Sequence, residues 1–281
     1  MLRMMILGFL TILASGCATL SSSLDPGVGA DQIAQEHNFT RLKIPTNRFR
    51  LLSYTKFREP GAPLTVYIEG DGRAWLSKNH LSDDPTPFHP MVLQMASLDS
   101  SPNVVYLGRP CQYDGTASEK PCGPEYWSNK RFSEEVIASM NEAIDQLKHA
   151  SAAKEIHLVG YSGGAAVAVL VAARRKDIAS LRTIAGNLDP EAVNRYHKVD
   201  PLAGSLNPMD VAAKLSNLPQ LHFIGTQDNM VPPFISQNFK QKMGKSECIQ
   251  VIEYKGVTHY KGWKERWLEM LNTTVDCEVV G

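Results

Sequence analysis

The stretch Ile-His-Leu-Val-Gly-Tyr-Ser-Gly-Gly-Ala, residues 156–165, carries the strongest structural signal in this chain. Its first four residues form a short apolar run, which is typical of a buried parallel strand. The alanines that begin at Ala165 favour a helix that can lie close to a sheet. A G-x-S-x-G motif joins the two and predicts a nucleophile elbow, a sharp turn that projects the Ser162 hydroxyl into a cleft. Gly160 and Gly164 suit this turn because they have no side chains to clash across it.

A serine hydroxyl is a weak nucleophile, so the chain must also supply a base. In folds with this elbow, a carboxylate and then a histidine follow the serine along the chain. His222 lies inside an apolar strand and His197 lies in a polar loop. His259 follows the strand at 249–254 and stands at its carboxyl end, where parallel sheets place their chemistry. His259 is therefore predicted to be the base.

The acid that orients the base should also follow a strand. Asp228 comes shortly after an apolar strand at 221–225, and Asp189 follows another at 181–185. Asp228 leaves room for one helix and one strand before His259, and we favour it because Met230-Val231-Pro232-Pro233 beside it resemble the acid turn of known hydrolases. Asp189 stays open as the alternative acid.

Attack on a carbonyl carbon creates a negative oxygen, which two backbone N–H groups can stabilise. The first donor is expected at Gly163, directly after the nucleophile. The second is expected in the glycine-rich loop after the strand at 64–68, at Asp71 or at Gly72. These residues predict an oxyanion hole.

Eight segments are predicted as strands and four as helices. The strands are predicted at 39–44, 48–56, 64–69, 103–108, 155–160, 181–186, 220–225 and 249–254. The helices are predicted at 131–149, 163–175, 234–243 and 261–271. Strands and helices alternate in the second half, which implies a parallel sheet with right-handed crossovers.

The chain resembles the α/β-hydrolase superfamily over about residues 40–275. The resemblance rests on Glu69-Gly70-Asp71-Gly72, Gly160-Tyr161-Ser162-Gly163-Gly164, Asp228 and His259, which stand in the order that the superfamily shows. It implies an α/β fold with a mostly parallel eight-stranded sheet, helices on both faces and a small cap. Many relatives carry His-Gly at the oxyanion loop, whereas this chain carries Glu69-Gly70.

The same resemblance implies a carboxylesterase- or lipase-like serine hydrolase that uses no cofactor and no metal. Its substrate would be a small-molecule or lipid ester. Trp75, Tyr161 and Tyr260 are candidates for the wall of the substrate pocket, and each could equally belong to the core. A peptidase, amidase or thioesterase with the same residues, or a non-catalytic envelope lipoprotein, stays open. His80, Asp83, Asp84 and His89 lie close together, but the prolines among them suit a folded loop better than a metal site.

The beginning of the chain resembles a bacterial lipoprotein signal. Residues 1–16 combine a basic start, a short apolar run and small residues, and Cys17 follows where such signals are cleaved and the cysteine is lipidated. The predicted organisation is a signal peptide at 1–16, lipidated Cys17 with a flexible tether at 17–38, and a hydrolase domain at 39–281. Ala18 favours the outer membrane over the inner, with the domain in the periplasm.

Cysteine content and charge agree with an exported protein. Cys111, Cys122, Cys248 and Cys277 remain after Cys17, and an even number of cysteines suggests disulfides. Three pairings are possible, and the local one is the simplest. Without residues 1–16 the chain has 28 basic residues (29 less Arg3) and 29 acidic residues, so it offers no case for nucleic acid as a partner. The sequence does not fix the oligomeric state.

Overall fold

A computed structural model of the chain describes residues 26–113, 121–275 and 277. The lipoprotein signal expected at 1–16, the lipidated Cys17 and the first part of the expected tether lie outside the described residues. The strands are β1 (Thr40–Pro45), β2 (Arg50–Phe57), β3 (Leu64–Ile68), β4 (Trp75–Ser77), β5 (His80–Leu81), β6 (Asn103–Leu107), β7 (Ile156–Tyr161), β8 (Ile178–Ile184), β9 (Gln220–Gly225) and β10 (Ile249–Tyr254).

Eight of these strands form one mostly parallel sheet, as the sequence predicts. Their order is β1-β2-β6-β3-β7-β8-β9-β10, and β4 pairs with β5 in a separate hairpin. The β1–β2 and β2–β6 pairs are antiparallel, whereas every pair from β6 to β10 is parallel. Strand β7 lies near the middle of the sheet, so its carboxyl end opens between neighbouring strand ends.

Seven α-helices accompany the sheet in the described residues. They are α1 (Pro26–Glu36), α2 (Met91–Leu98), α3 (Glu134–Ser151), α4 (Gly163–Ala172), α5 (Pro190–His197), α6 (Phe234–Met243) and α7 (Trp267–Leu271). Short 3₁₀ helices span Pro124–Trp127, Pro208–Asp210, Ala212–Leu215 and Lys264–Arg266. None of the helices in the described ranges has the length and hydrophobicity needed to cross a bilayer.

The sheet carries a hydrophobic core on each face. Successive side chains of a strand point to opposite faces, so Val66 joins one core and Tyr67 joins the other. The first core also receives helices α3, α4, α5 and α6, and the second receives α1, α2 and α7. The fold is therefore a three-layer α/β sandwich with helices on both faces.

The expected tether is helical from Pro26 onwards. Ala30 and Ala34, one helical turn apart on α1, are buried in the second core. The expected flexibility of 26–36 is thus replaced by packing, because these two small side chains let α1 lie close to its neighbours.

Two predicted helices begin later than expected. Helix α3 starts at Glu134, because Ser133 has the extended backbone (φ −64°, ψ 162°) of an N-cap residue. The predicted 261–271 helix begins with a 3₁₀ turn at Lys264, because Gly262 takes a φ of 96° that an α-helix does not allow.

Two disulfides form by the local pairing. Cys111–Cys122 closes the loop after β6, and Cys248–Cys277 ties the start of β10 to the end of the described chain. Each closes a short stretch of chain, so each stabilises the fold by about 3 kcal/mol through the restricted unfolded state.

The elbow glycines allow α4 to approach the sheet. A methyl group added at Gly164 would lie 2.4 Å from the carbonyl oxygens of both Ile68 and Glu69. One added at Gly160 would lie 2.5 Å from the carbonyl oxygen of Gly164. The backbone at Ile68–Glu69 and the backbone at Gly164 cannot shift freely, because both belong to the centre of the fold.

We expect Gly164→Ala to lower the free energy of unfolding by about 3 kcal/mol or more, because the new methyl group overpacks a rigid site. The matched control is Gly29→Ala in α1, where an added methyl group meets nothing within 4 Å. That change should stabilise the chain by about 0.5–1 kcal/mol, since alanine favours helix. Urea denaturation of both variants tests the pair, and equal effects would contradict the close approach of α4.

Candidate active site

Ser162 occupies a strained turn between β7 and α4. Its φ of 52° and ψ of −121° place a residue with a side chain in a region that favours glycine. Hydrogen bonds hold this geometry: the Ser162 amide donates to the Ile184 carbonyl at 2.9 Å, and the Asn187 amide donates to the Ser162 carbonyl at 3.0 Å. The carboxyl end of β8 therefore fixes the elbow, and the Ser162 side chain stays half-buried at the cleft.

His259 and Asp228 continue from Ser162 as a chain of hydrogen bonds. The Nε2 atom of His259 lies 3.0 Å from Ser162 Oγ, and its Nδ1 atom lies 2.8 Å from Asp228 Oδ2. Asp228 Oδ1 accepts from the amides of Met230 and Val231, each at 2.8 Å. Because Asp228 and His259 are both buried, the carboxylate orients the imidazole with Nδ1 as donor and leaves Nε2 facing the serine.

The alternative residues lie elsewhere. Asp189 caps α5 by accepting from the Ala192 amide at 3.1 Å. His197 bonds the carbonyl of Met230 at 2.8 Å. His222 is buried and bonds Thr183 Oγ1 at 2.7 Å, and burial lowers its pKa to about 3. None of these three bonds joins the chain that runs from Ser162 to Asp228.

Tyr161, a candidate for either the pocket wall or the core, is buried and supports the histidine. Its side chain is buried, its hydroxyl donates to the carbonyl of His259 at 2.9 Å, and its ring centroid lies 5.3 Å from that of the imidazole. Trp263 Nε1 donates to the same carbonyl at 3.0 Å. Two donors from different elements therefore hold the loop that carries His259.

Trp75 and Tyr260, the other residues expected at the substrate pocket, are both exposed. Tyr260 packs edge-on against His259, with 4.8 Å between the ring centroids, and Trp75 lies on the β4–β5 hairpin after the oxyanion loop. Both side chains are thus open to solvent, and Tyr260 is the one that contacts the imidazole.

The oxyanion loop approaches the elbow closely. Within the described chain, the amides of Gly163, Asp71 and Gly72 donate no hydrogen bond to protein, so all three are free to bind an oxyanion. A methyl group at Gly163 would lie 2.0 Å from Asp71 Oδ1, which shows that the Asp71 side chain lies against the elbow. Gly72 has a φ of 62°, and a methyl group there would lie 2.0 Å from the Pro85 carbonyl oxygen.

Two arginines that the sequence analysis missed hold the Asp71 side chain. Arg109 Nη1 and Arg131 Nε each lie 3.3 Å from an Asp71 carboxylate oxygen, and the Arg109 guanidinium also donates to the Arg131 carbonyl. Arg109 is buried and lies two residues after the end of β6. The only sequence signal for its role is this position near the carboxyl end of a strand. The two cations offset the carboxylate charge beside Gly163, where a negative oxygen would otherwise be repelled.

Glu69, which stands where many relatives carry histidine, is buried and fixes its own loop. Its Oε1 accepts from the Gly70 amide at 2.9 Å, and its Oε2 accepts from the Tyr106 hydroxyl at 3.0 Å. Burial raises the pKa of Glu69 to about 7, although the hydrogen bonds from Gly70 and Tyr106 and the nearby Arg109 oppose this shift. Glu69 therefore changes charge close to neutral pH.

Glu69 should make stability fall as pH rises. Between pH 4.5, the ordinary pKa of the group, and about pH 7, the Glu69 carboxyl is protonated in the folded chain and ionised in the unfolded chain. The folded state is therefore favoured by proton binding in this range. From about pH 5 to pH 8, the wild-type chain should lose about 2–3 kcal/mol relative to Glu69→Gln, which has no charge to bury. Urea denaturation of both proteins across this range measures the difference, and parallel pH curves would refute it.

Fold and site together define the chain as a serine hydrolase of the α/β class. The model of the dienelactone hydrolase family matches residues 110–261, which is more than half of the chain, and the chain belongs to this family. The match includes Ser162, Asp228 and His259 but not the oxyanion loop. A search of curated proteins gives no match.

Solved structures share this fold at low sequence identity. Acylaminoacyl peptidase from Pyrococcus horikoshii is 14% identical with a TM-score of 0.60 over 82% of this chain, which spans only 38% of the peptidase. Est1E from Butyrivibrio proteoclasticus is 16% identical with a TM-score of 0.58, over 82% of this chain and 95% of that one. An alpha-beta serine hydrolase homologue from Coxiella burnetii is 17% identical with a TM-score of 0.51, over 82% and 93% of the two chains.

Proposed function

We propose that this serine hydrolase cleaves carboxylic esters through Ser162, His259 and Asp228. The observation that carries the proposal is a serine on a strained elbow, 3.0 Å from an imidazole nitrogen whose other nitrogen is 2.8 Å from a buried carboxylate. Such an arrangement activates a hydroxyl because the imidazole can accept its proton as the new bond forms.

In the first half of the reaction, Ser162 Oγ attacks the ester carbonyl carbon while His259 Nε2 takes the hydroxyl proton. Asp228 stabilises the resulting imidazolium, and the Gly163 and Asp71 amides bind the negative oxygen. His259 then gives its proton to the alkoxide leaving group as the carbon–oxygen bond breaks. The products of this half are an alcohol and an acyl-enzyme on Ser162.

In the second half, water replaces the alcohol. His259 Nε2 removes a proton from the water as its oxygen attacks the acyl carbon, and the same amides bind the second tetrahedral oxygen. The proton returns to Ser162 Oγ as the acid leaves. Serine and histidine are restored, so no cofactor is consumed.

Two features support an ester as the substrate. The family is named for a lactone, which is a cyclic carboxylic ester. The exposed ring of Tyr260 also packs against His259, which places an apolar group beside the imidazole and suits an acyl or alkyl group. The same residues serve all acyl transfers, so amides and thioesters are the competing substrates.

A fluorophosphonate probe and a substrate panel test this proposal. The wild-type chain should be labelled, Ser162→Ala should not, and hydrolysis of esters should exceed that of matched amides and thioesters. Faster cleavage of the amides would make the protein an amidase or peptidase. A folded wild-type chain that resists labelling would point to a non-catalytic lipoprotein.

We further propose that Cys17 carries a lipid anchor and that the domain lies in the periplasm, at the outer membrane. The support is the signal-like sequence of residues 1–16 and the alanine that follows the cysteine. Several acyl chains attach a protein stably, whereas one is marginal. Metabolic labelling with an alkyne fatty acid in a Gram-negative host should mark the wild-type chain but not Cys17→Ser, and equal labelling would reject Cys17 as the site.

A further inference from the structure

Exposed apolar side chains concentrate at the edge of the sheet that holds Ser162. Among the described residues, every exposed large hydrophobic side chain except Leu42 lies on a segment that follows the carboxyl end of a parallel strand, and Leu268 is separated from the catalytic loops because it lies on α7, nine residues after His259. Six of them define what we call the apolar rim: Trp75, Leu76, Tyr196, Met230, Phe234 and Tyr260. Apolar groups gathered at one site mark a surface that meets a ligand, a partner or a membrane.

The rim is built onto the catalytic loops. Tyr260 is 66% exposed and directly follows His259. Met230 lies two residues after Asp228, and its amide donates to that carboxylate. Trp75 lies three residues after Gly72, the last residue of the oxyanion loop. The rim therefore borders the cleft from three different strand ends.

The rim is also connected laterally. The rings of Tyr196 and Phe234 lie 6.1 Å apart, which joins α5 to the start of α6. His197, next to Tyr196, bonds the Met230 carbonyl at 2.8 Å. These contacts place Tyr196, Phe234 and Met230 in one group on the side of the cleft that carries Asp228.

Basic side chains are interleaved with the rim. The segment 255–266 carries Lys255, Lys261, Lys264 and Arg266 against one acidic residue, Glu265, and the three lysines are exposed. Lysines beside exposed aromatic rings are typical of membrane interfaces, where ammonium groups meet anionic phosphates and rings lie at the headgroup level. The charge of this segment thus complements an anionic lipid surface.

The chain before α1 limits how far the domain can lie from a bilayer. Cys17 precedes Pro26 by nine residues, since 26 − 17 = 9, and nine residues reach at most about 32 Å when fully extended. With Cys17 acylated as proposed above, the start of α1 stays within that distance of the membrane. The domain can therefore contact the lipid surface while its anchor stays in the membrane.

We propose that the apolar rim docks the catalytic edge onto a lipid surface, and that the substrate is a long-chain acyl ester held in that surface. This inference rests on the proposed ester hydrolase and names its substrate class. The aromatic and aliphatic side chains enter the headgroup region, and the lysines contact the phosphates. An acyl chain then reaches Ser162 without first dissolving in water.

Tryptophan fluorescence reports the docking without any need for catalysis. Trp75 is 47% exposed, whereas Trp127, Trp263 and Trp267 are buried. A doxyl-labelled phospholipid in phosphatidylcholine–phosphatidylglycerol vesicles should therefore quench Trp75 selectively when the full chain is bound. We expect the same quenching in Ser162→Ala, because that variant keeps the rim.

Matched double variants test whether the rim is responsible. Leu76→Ser with Phe234→Ser removes two rim side chains, and Leu42→Ser with Leu268→Ser removes two exposed leucines elsewhere. The rim variant should lose the quenching and cleave a long-chain ester in vesicles about tenfold more slowly or worse, because it loses apolar contact with the lipid. Its rate on a dissolved short-chain ester should be unchanged, and the control variant should match the wild type.

Three results would overturn the proposal: an unquenched wild-type chain, equal loss in both double variants, or a rim-dependent dimer in ultracentrifugation without quenching. Failure of the proposed hydrolase gives a different result. In that case no variant cleaves any ester, while Trp75 quenching still depends on the rim.

Discussion

Ser162→Ala should lower ester turnover by on the order of 10⁶-fold, because the reaction loses its nucleophile and the covalent intermediate with it. The fold should survive, since the backbone of the elbow is held by amide and carbonyl bonds that alanine retains. Steady-state hydrolysis and urea denaturation of the same preparation measure both effects. We expect the free energy of unfolding to change by no more than about 1 kcal/mol.

A partial loss of turnover in Ser162→Ala would indicate a different mechanism. If Ser162→Ala kept more than a small fraction of the wild-type rate while folded, water would have to attack the ester directly. The acyl-enzyme would then not be required for turnover. Mass spectrometry of wild-type protein quenched during turnover detects the acyl group on Ser162 and separates the two mechanisms.

Asp228→Asn should lower turnover by about 10⁴-fold, through the wrong histidine tautomer. Asp228 Oδ1 accepts from the Met230 and Val231 amides, so an asparagine must place its carbonyl oxygen there. Its NH₂ group then faces His259 Nδ1, which is forced to accept. The proton moves to Nε2, and the imidazole can no longer take one from Ser162. A loss in kcat larger than any change in KM is the expected signature.

Asp189→Asn is the matched control. Asp189 is also a buried aspartate after a parallel strand, but it caps α5, and asparagine caps a helix as well as aspartate does. Turnover should stay within about twofold of the wild type. If Asp189→Asn showed the larger loss, the acid would be misassigned in spite of the 2.8 Å contact between Asp228 and His259.

Local patterns predicted most of the fold. Most strands of the large sheet contain a short apolar run, whereas β1 buries only Ile44, and the strand–helix alternation after residue 150 predicts parallel pairing. Helices α1, α2 and α5 and the β4–β5 hairpin were missed, and for α1 and α2 the reason is that their apolar residues follow no clear period. Helix α2 is apolar on nearly every side, and α1 buries only Ala30 and Ala34, so neither gives an amphipathic signal.

Some residues of the site could be predicted from the sequence, and others could not. Ser162 is marked by its motif, and Asp228 and His259 are marked by their order and by the strands before them. Arg109 and Arg131 carry no such mark, because their role depends on where Asp71 places its carboxylate. The sequence position of Tyr161 does not reveal that its hydroxyl reaches the backbone 98 residues away.

By itself, the sequence determined the class of fold and the kind of nucleophile, because strand periodicity, the glycine turn and the order of residues are local properties of a chain. Only the tertiary structure decided that Asp228 and not Asp189 contacts the histidine, how the Glu69 loop is held, and that the Tyr161 hydroxyl supports the loop of His259. Those features depend on distances between segments brought together by the sheet, and such distances follow from how whole elements pack.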